Sequence, residues 1–303
     1  MSKRVVMILG ATGQVGGLLA KELKDNSSVQ VRVTTRHKDQ IDSLKKQYGD
    51  AVFLDLDDDS TFASALKGVD GLFLLTGYSV DMLVQAKTMV DAALAAGVKH
   101  IVQLGVFRPK RECSDPHFAW HQMIQAYIRD SGIAWTFLHP NAFMQNLIGL
   151  FTAEPGVLPW YGKDAKFGWI ALEDVAQSAA KILAEGPAVH KGKDYWFSTE
   201  SLNITEVAKT VSDVCEIPLQ APLLGPDELA RDLQKAGMTD VYFTKGVVEF
   251  FRHVLDGRMP YIAEVRDDVP KLLGRPGMKL RDWAKLNKNA IREKHLQKTG
   301  AKI

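Results

Sequence analysis

Cysteine is scarce. Only Cys113 and Cys215 occur in 303 residues, and they fall in segments that read as different elements. This excludes a disulfide framework and gives no zinc-site spacing. Excess charge is also missing. With 38 Lys and Arg against 36 Asp and Glu the net charge is +2, so no global field draws the chain to nucleic acid or to an anionic membrane. One local excess stands out, from Lys285 to Ile303, where six Lys and Arg face the single Glu293. It reads as a solvated helix end running into a tail. No apolar run reaches membrane-spanning length. Val5–Leu9, behind Lys3 and Arg4, stops at Gly10, which is too short for a secretory segment. A cytoplasmic protein is expected. What is present is an ordinary globular balance, 46% hydrophobic and 24% charged, on a chain long enough to bury a sizeable core.

The first 140 residues alternate short apolar runs with amphipathic stretches. Val5–Leu9, Val29–Thr34, Ala51–Leu54, Gly71–Leu75, His100–Leu104 and Trp135–Leu138 read as strands. Between them Gln14–Lys24, Lys38–Tyr48, Thr61–Lys67, Val80–Ala96 and Phe118–Asp130 carry apolar residues at helical spacing. Near-continuous apolar strands alternating with helices imply a parallel sheet covered on both faces, an α/β doubly wound fold of Rossmann type. After Pro140 the rhythm changes: Pro and Gly thicken, and Trp160, Tyr161, Phe167 and Trp169 cluster. Helices are expected at Val175–Ala184, Thr205–Cys215 and Pro226–Ala236, with a strand near Tyr195–Phe197. Residues 141–303 are therefore read as a smaller α+β substrate or lid region, with about 168–185 packing back on the dinucleotide-binding part, residues 1–140.

The strongest chemical signal is Gly10-Ala11-Thr12-Gly13-Gln14-Val15-Gly16, directly after an apolar strand and opening an amphipathic helix. A pyrophosphate needs backbone N–H donors and the positive end of a helix, and a Cβ at the closest points blocks its approach. Gly10 suits the tight turn, Gly13 admits the pyrophosphate, and Gly16 allows helix and strand to touch. Thr12, Gln14 and Val15 complete the loop. The spacing is G-x-x-G-x-x-G, and its weight comes from the strand before it, the helix after it and the βα units that follow.

Cofactor choice is read at the end of the second strand, where an acidic residue would take the ribose hydroxyls of NAD. Here the segment is Thr34-Thr35-Arg36-His37-Lys38, and Arg36 with Lys38 suits a 2′-phosphate. The alternative is that both simply begin a solvated helix. NADP(H) is expected, with NAD(H) as the second choice. Asp55 and Leu56 should border the adenine, Thr76 and Gly77 should pass near the ribose and nicotinamide, and Leu104 with Gly105 should close the far side. All rest on the rule that ligands sit at the carboxyl ends of parallel strands.

No Y-x-x-x-K motif of the short-chain dehydrogenases follows the fifth strand. The helix there begins His117-Phe118-Ala119-Trp120-His121-Gln122 and leads to Gln125. His117 and His121 share a helical face, but there is no H-E-x-x-H glutamate and no third ligand in view, so no metal is expected. On these residues the chain resembles the NmrA-like atypical short-chain dehydrogenase/reductases. The resemblance rests on Gly10-Ala11-Thr12-Gly13-x-x-Gly16, Thr35-Arg36, the stretch from His117 to Thr136, and His139-Pro140-Asn141-Ala142-Phe143-Met144-Gln145-Asn146. Leu172-Glu173-Asp174-Val175-Ala176, Asp268-Val269 and Leu273-Gly274-Arg275-Pro276 extend it over nearly the whole chain.

The family includes nitrogen-metabolism regulators, NADPH sensors, isoflavone-reductase-like enzymes, and quinone and triphenylmethane reductases. Position 121 corresponds to the lysine of the isoflavone-reductase F-x-x-K motif, and the histidine here matches the quinone and dye reductases instead. The glutamate of their H-x-x-x-E pattern is Gln125, and the arginine before Pro140 is His139. The resemblance implies that Pro140, Asn141 and Phe143 lie against the nicotinamide. His121 either delivers a proton or hydrogen-bonds the carboxamide or ribose. The aromatic cluster is either a wall for a flat substrate or core. Two functions stay open: an NADPH-dependent reductase of a small aromatic or quinone-like molecule, and a redox-sensing regulator that holds the dinucleotide and signals to a protein partner.

Overall fold

The computed structural model describes residues 3–109, 115–149, 154–238 and 240–296; Cys113 and the end of the basic tail lie outside them. The first half runs β1 (Arg4–Ile8), α1 (Gln14–Leu23), β2 (Val29–Thr35), α2 (Ile41–Tyr48), β3 (Ala51–Phe53), α3 (Phe62–Leu66), β4 (Gly71–Leu74), α4 (Met82–Ala95), β5 (His100–Leu104), α5 (Pro116–Asp130) and β6 (Ala134–Pro140). There follow β7 (Ala142–Phe143), β8 (Phe167–Ile170), α6 (Leu172–Glu185), α7 (Pro187–His190), β9 (Lys193–Phe197) and β10 (Glu200–Leu202). The chain ends in helices α8 (Ile204–Cys215), α9 (Pro226–Lys235), α10 (Val241–Leu255), α11 (Asp268–Leu273), α12 (Leu280–Leu286) and α13 (Lys288–Leu296).

The main sheet has seven parallel strands in the order β3-β2-β1-β4-β5-β6-β9. Alternation along β1 explains why both faces are covered. Val6 and Ile8 enter a core shared with α1 and α6, whereas Met7 enters the opposite core with α4 and α5. The strand order turns at β1, between β2 and β4, and in a doubly wound sheet the crevice for a ligand opens at such a reversal, outside the carboxyl ends of the strands. The strand foreseen near Tyr195–Phe197 is β9. It does not belong to the smaller region where its place in the sequence put it, because its register against β6, His139 opposite Trp196, makes it the last strand of the main sheet.

A second, three-stranded sheet, β10-β8-β7, sits beyond β6 and is backed by α8, α10 and α12 around a third core. Trp160, Phe167 and Trp169 are buried in that core, Trp160 meeting Phe167 edge-on at 4.7 Å. Tyr161 packs against it and donates its hydroxyl to Asp232. The four aromatics thus stabilise the smaller region by burial and form no open wall. Among the described residues no helix is long and apolar enough to cross a membrane.

Candidate dinucleotide and substrate site

The turn from β1 into α1 is shaped by what its glycines leave out. Gly10 has φ +68°, a conformation that side chains disfavour. A Cβ on Gly16 would stand 2.3 Å from the Gly10 carbonyl oxygen, so only hydrogen lets α1 rest on the end of β1. At Gly13 a Cβ would meet the same oxygen at 3.3 Å, and the Gly13 N–H donates to it at 2.9 Å. No side chain caps α1, which leaves its first N–H groups free for an anion. Thr12, Gly13 and Gln14 are exposed, whereas the Val15 side chain and Gly16 are buried; Val15 has only its backbone to offer a ligand. This cradle fits a pyrophosphate.

At the end of β2, Thr35 fixes the turn by accepting the His37 N–H at 3.1 Å and donating to Gln40 Oε1 at 3.0 Å. Arg36 is exposed there and pairs with no carboxylate among the described residues. The Lys38 ammonium lies 4.7 Å from the centre of the Phe53 ring, which ties it to the end of β3. Two cations beside the cradle suit a 2′-phosphate. Asp55 turns its carboxylate back to the Asp57 N–H, and Leu56 is half-buried against the core below. Thr76 is partly covered, and Gly77 is exposed with open space around it.

The far side of the crevice is built by α5. His121 is buried on its inner face. Its Nδ1 lies 3.2 Å from Gln103 Nε2, and its Nε2 is buried with no partner among the described residues. Burial pushes the imidazole down to about 3, with like charge from His139 and His117 adding to the effect, so the ring is neutral at physiological pH. Gln103 also donates to the Leu104 carbonyl at 2.6 Å and accepts from Gln125 Nε2 at 3.1 Å. Gly105 serves this network: a Cβ there would stand 2.7 Å from Gln125 Nε2.

In front of His121 lies Tyr78, half-exposed after β4. Its ring is 4.5 Å from His117, 6.0 Å from His121 and 6.4 Å from Phe243 of α10. His117 begins α5 but is more than a helix-start residue. It is buried against Gly246, its Nε2 has no partner among the described residues, and burial lowers its pKa. Sequence reasoning missed Gln103 and Phe243. A glutamine inside the apolar run His100–Leu104 was the available signal, since a buried amide must be hydrogen-bonded.

Beyond β6 the side chains are more committed. His139 stacks on Trp196 at 3.8 Å, with Nδ1 3.0 Å from the Val106 carbonyl and Nε2 2.8 Å from Asp194. Pro140 is buried at the strand end. Asn141 donates to the Ile262 carbonyl at 2.8 Å and accepts from the Ala142 N–H at 2.9 Å, so its amide joins the two regions of the molecule rather than standing free for a ligand. Phe143 and Leu104 lie on the core shared with Ala11, on the cradle's side of the sheet.

A phosphate cradle at the reversal of a parallel sheet, with cations at the second strand end, defines a dinucleotide-binding protein of the Rossmann class. The model of the NmrA-like family matches residues 2–255, and the chain belongs to that family. It is similar to the NAD(P)H azoreductase of Xenophilus azovorans, 26% identical over 95% of this chain and 99% of that one. It is also similar to the (4-alkanoyl-5-oxo-2,5-dihydrofuran-3-yl)methyl phosphate reductase of Streptomyces griseus, 29% identical over 92% and 96%. Among solved structures, the triphenylmethane reductase of Citrobacter sp. complexed with NADP(H) superposes with a TM-score of 0.78 at 25% identity, covering 93% of this chain and 99% of that one.

Proposed function

We propose that the protein is an NADPH-dependent reductase of small, flat, conjugated acceptors. The observation that carries this reading is a buried His121 Nε2 with no partner, beside the half-exposed Tyr78 ring and on the sheet edge where the glycine cradle opens. Gly10, Thr12, Gly13, Gln14, Val15 and Gly16 would hold the pyrophosphate, and Arg36 with Lys38 the 2′-phosphate. Asp55, Leu56, Thr76, Gly77, Leu104, Gly105, Pro140 and Phe143 would border the rest, whereas the Asn141 amide, engaged by Ile262 and Ala142, would not contact the ligand. NAD(H) would bind more weakly. When bound, the cofactor supplies a hydride.

The chain's own residues then orient the acceptor. Tyr78, His117 and Phe243 offer ring faces and edges to a flat acceptor. His121, held neutral, does not work as an imidazolium acid; it donates a hydrogen bond that binds and polarises an oxygen or nitrogen on the ligand. The names of the relatives describe azo compounds, a triphenylmethane dye and a conjugated dihydrofuranone, all polarised electrophiles, and quinones share that chemistry. A carbocationic dye is quenched by hydride alone, whereas a quinone also takes up a proton, which water entering past the exposed Tyr78 supplies.

The test follows NADPH absorbance with a panel of quinones, azo compounds and cationic dyes, beside calorimetry with NADPH and NADH. Steady oxidation with any acceptor supports the reading. Tight NADPH binding without turnover across the panel would transfer the site to the second reading, a redox-sensing regulator with a protein partner, which the non-acidic His121 and the amide at Gln125 favour.

A further inference from the structure

We infer that Gln103 is a positioning residue that fixes which ring nitrogen of His121 carries the proton, so that the site always presents Nε2–H to its ligand. The inference deepens the reading of this site given above. It begins with an amide that can be oriented in one way only. Gln103 Nε2 lies 2.6 Å from the Leu104 carbonyl, which can only accept, so that end of the side chain is the NH2 group. Its second hydrogen faces His121 Nδ1 at 3.2 Å. At the other end Oε1 accepts from Gln125 Nε2 at 3.1 Å, which agrees with that orientation. Nδ1 must therefore offer a lone pair, and a neutral imidazole then carries its one hydrogen on Nε2.

That hydrogen has no acceptor among the described residues, although Nε2 is buried and His121 is only 6% exposed. Burying a donor without an acceptor is unfavourable, and a ligand oxygen or nitrogen removes the penalty. Gly105 belongs to the same device, because its missing Cβ is the space that Gln125 Nε2 fills. The titratable groups facing His121 are His117 on α5, Tyr78 after β4 and His139 on β6. Both histidines, when charged, oppose a second proton on His121, so the surroundings protect the tautomer that Gln103 selects.

Nuclear magnetic resonance on the full chain with 15N-labelled histidine reads the tautomer directly, without turnover. The expected wild-type signature is a neutral His121 ring protonated on Nε2 at pH 7 and still so at pH 5. Gln103→Glu puts an acceptor before Nδ1 and is expected to move the proton there. Gln103→Leu, which needs no new charge in the core, is expected to give a mixture of the two neutral tautomers. It should also lower kcat/KM for the best acceptor about tenfold, the loss of one oriented hydrogen bond, with NADPH affinity unchanged. A wild-type ring protonated on Nδ1, or an undivided Nε2–H signature in folded Gln103→Leu, overturns the inference. Absence of turnover with every acceptor overturns the proposed reductase and leaves the tautomer measurement intact, so the two failures are distinguishable.

Discussion

The two ends of the crevice are made in opposite ways. The cradle at the β1–α1 turn is backbone, shaped by the side chains that Gly10, Gly13 and Gly16 lack. The pocket around His121 is side chain, assembled from β5, α5, α10 and the segment after β4. A backbone site is rigid once its helix is docked and binds whatever carries the right anion. A side-chain site is tuned by partners that are remote in sequence, such as Gln103 and Gln125. On the reading proposed above, one end selects the cofactor and the other decides what is done with it.

That division predicts where substitutions act most strongly. Gly16→Ala should break the cradle, because its Cβ would sit 2.3 Å from a backbone oxygen that cannot give without moving the turn. Calorimetry is expected to show dinucleotide affinity falling by more than roughly a hundredfold, together with a lowered Tm from overpacking of about 1–3 kcal/mol. Retained affinity in a folded variant contradicts the cradle. Arg36→Ala should act more selectively, weakening NADPH binding roughly ten- to a hundredfold and leaving NADH nearly unchanged. Equal losses for both cofactors would remove the 2′-phosphate assignment and make Arg36 a solvated helix start.

The same division decides what was legible in the sequence. Gly10 to Gly16, the alternation of Val6, Met7 and Ile8, and the six strands of the first half follow from local rules of turn and period, and the parallel sheet follows from them. The place of β9 did not. A strand preceded by α6 and α7 can join either sheet, and the pairing of His139 with Trp196 is settled only by three-dimensional register. Trp160, Phe167 and Trp169 read equally well as wall or core until α8 and α10 cover them. His121 was visible as a residue, but its burial was not: proton delivery and hydrogen bonding read equally well from the sequence, whereas burial beside Gln103 lowers its pKa and supports the hydrogen-bonding role proposed above.

Acid stability sharpens this contrast along β5 and α5. His121 is pushed down to about 3 and His100, hydrogen-bonded to Thr136 at the start of β5, to about 4, both chiefly by burial. In the unfolded chain each ring takes a proton near pH 6.5, whereas the folded protein keeps both neutral. The unfolded state thus binds more protons, and stability is complete above pH 6.5 and declines as pH falls from there towards about 4. Each ring adds about 1 kcal/mol of loss per pH unit in that window. Urea unfolding between pH 7 and 5 measures the slope, to which the buried His117 and His295 also add, and His121→Gln should reduce it by the share of one ring, about 1 kcal/mol per pH unit. An unaltered slope would mean that His121 takes up its proton as readily in the folded protein as in the unfolded chain.

The smallest effect tests whether the smaller region shapes the pocket or merely supports it. Asn203 caps α8: its side chain accepts the Glu206 N–H at 2.8 Å while Glu206 accepts the Asn203 N–H at 2.9 Å. This reciprocal pair satisfies donors that the first turn leaves open. Asn203→Ala should destabilise the protein by about 1 kcal/mol, read as a small shift in the urea midpoint. α8 packs on α12 in the third core and makes none of the contacts described around His121. NADPH affinity and kcat should therefore stay as they are at temperatures well below the Tm. If turnover falls with the cap, the smaller region reaches the chemistry through its packing, and the pocket has to be counted as the work of both cores.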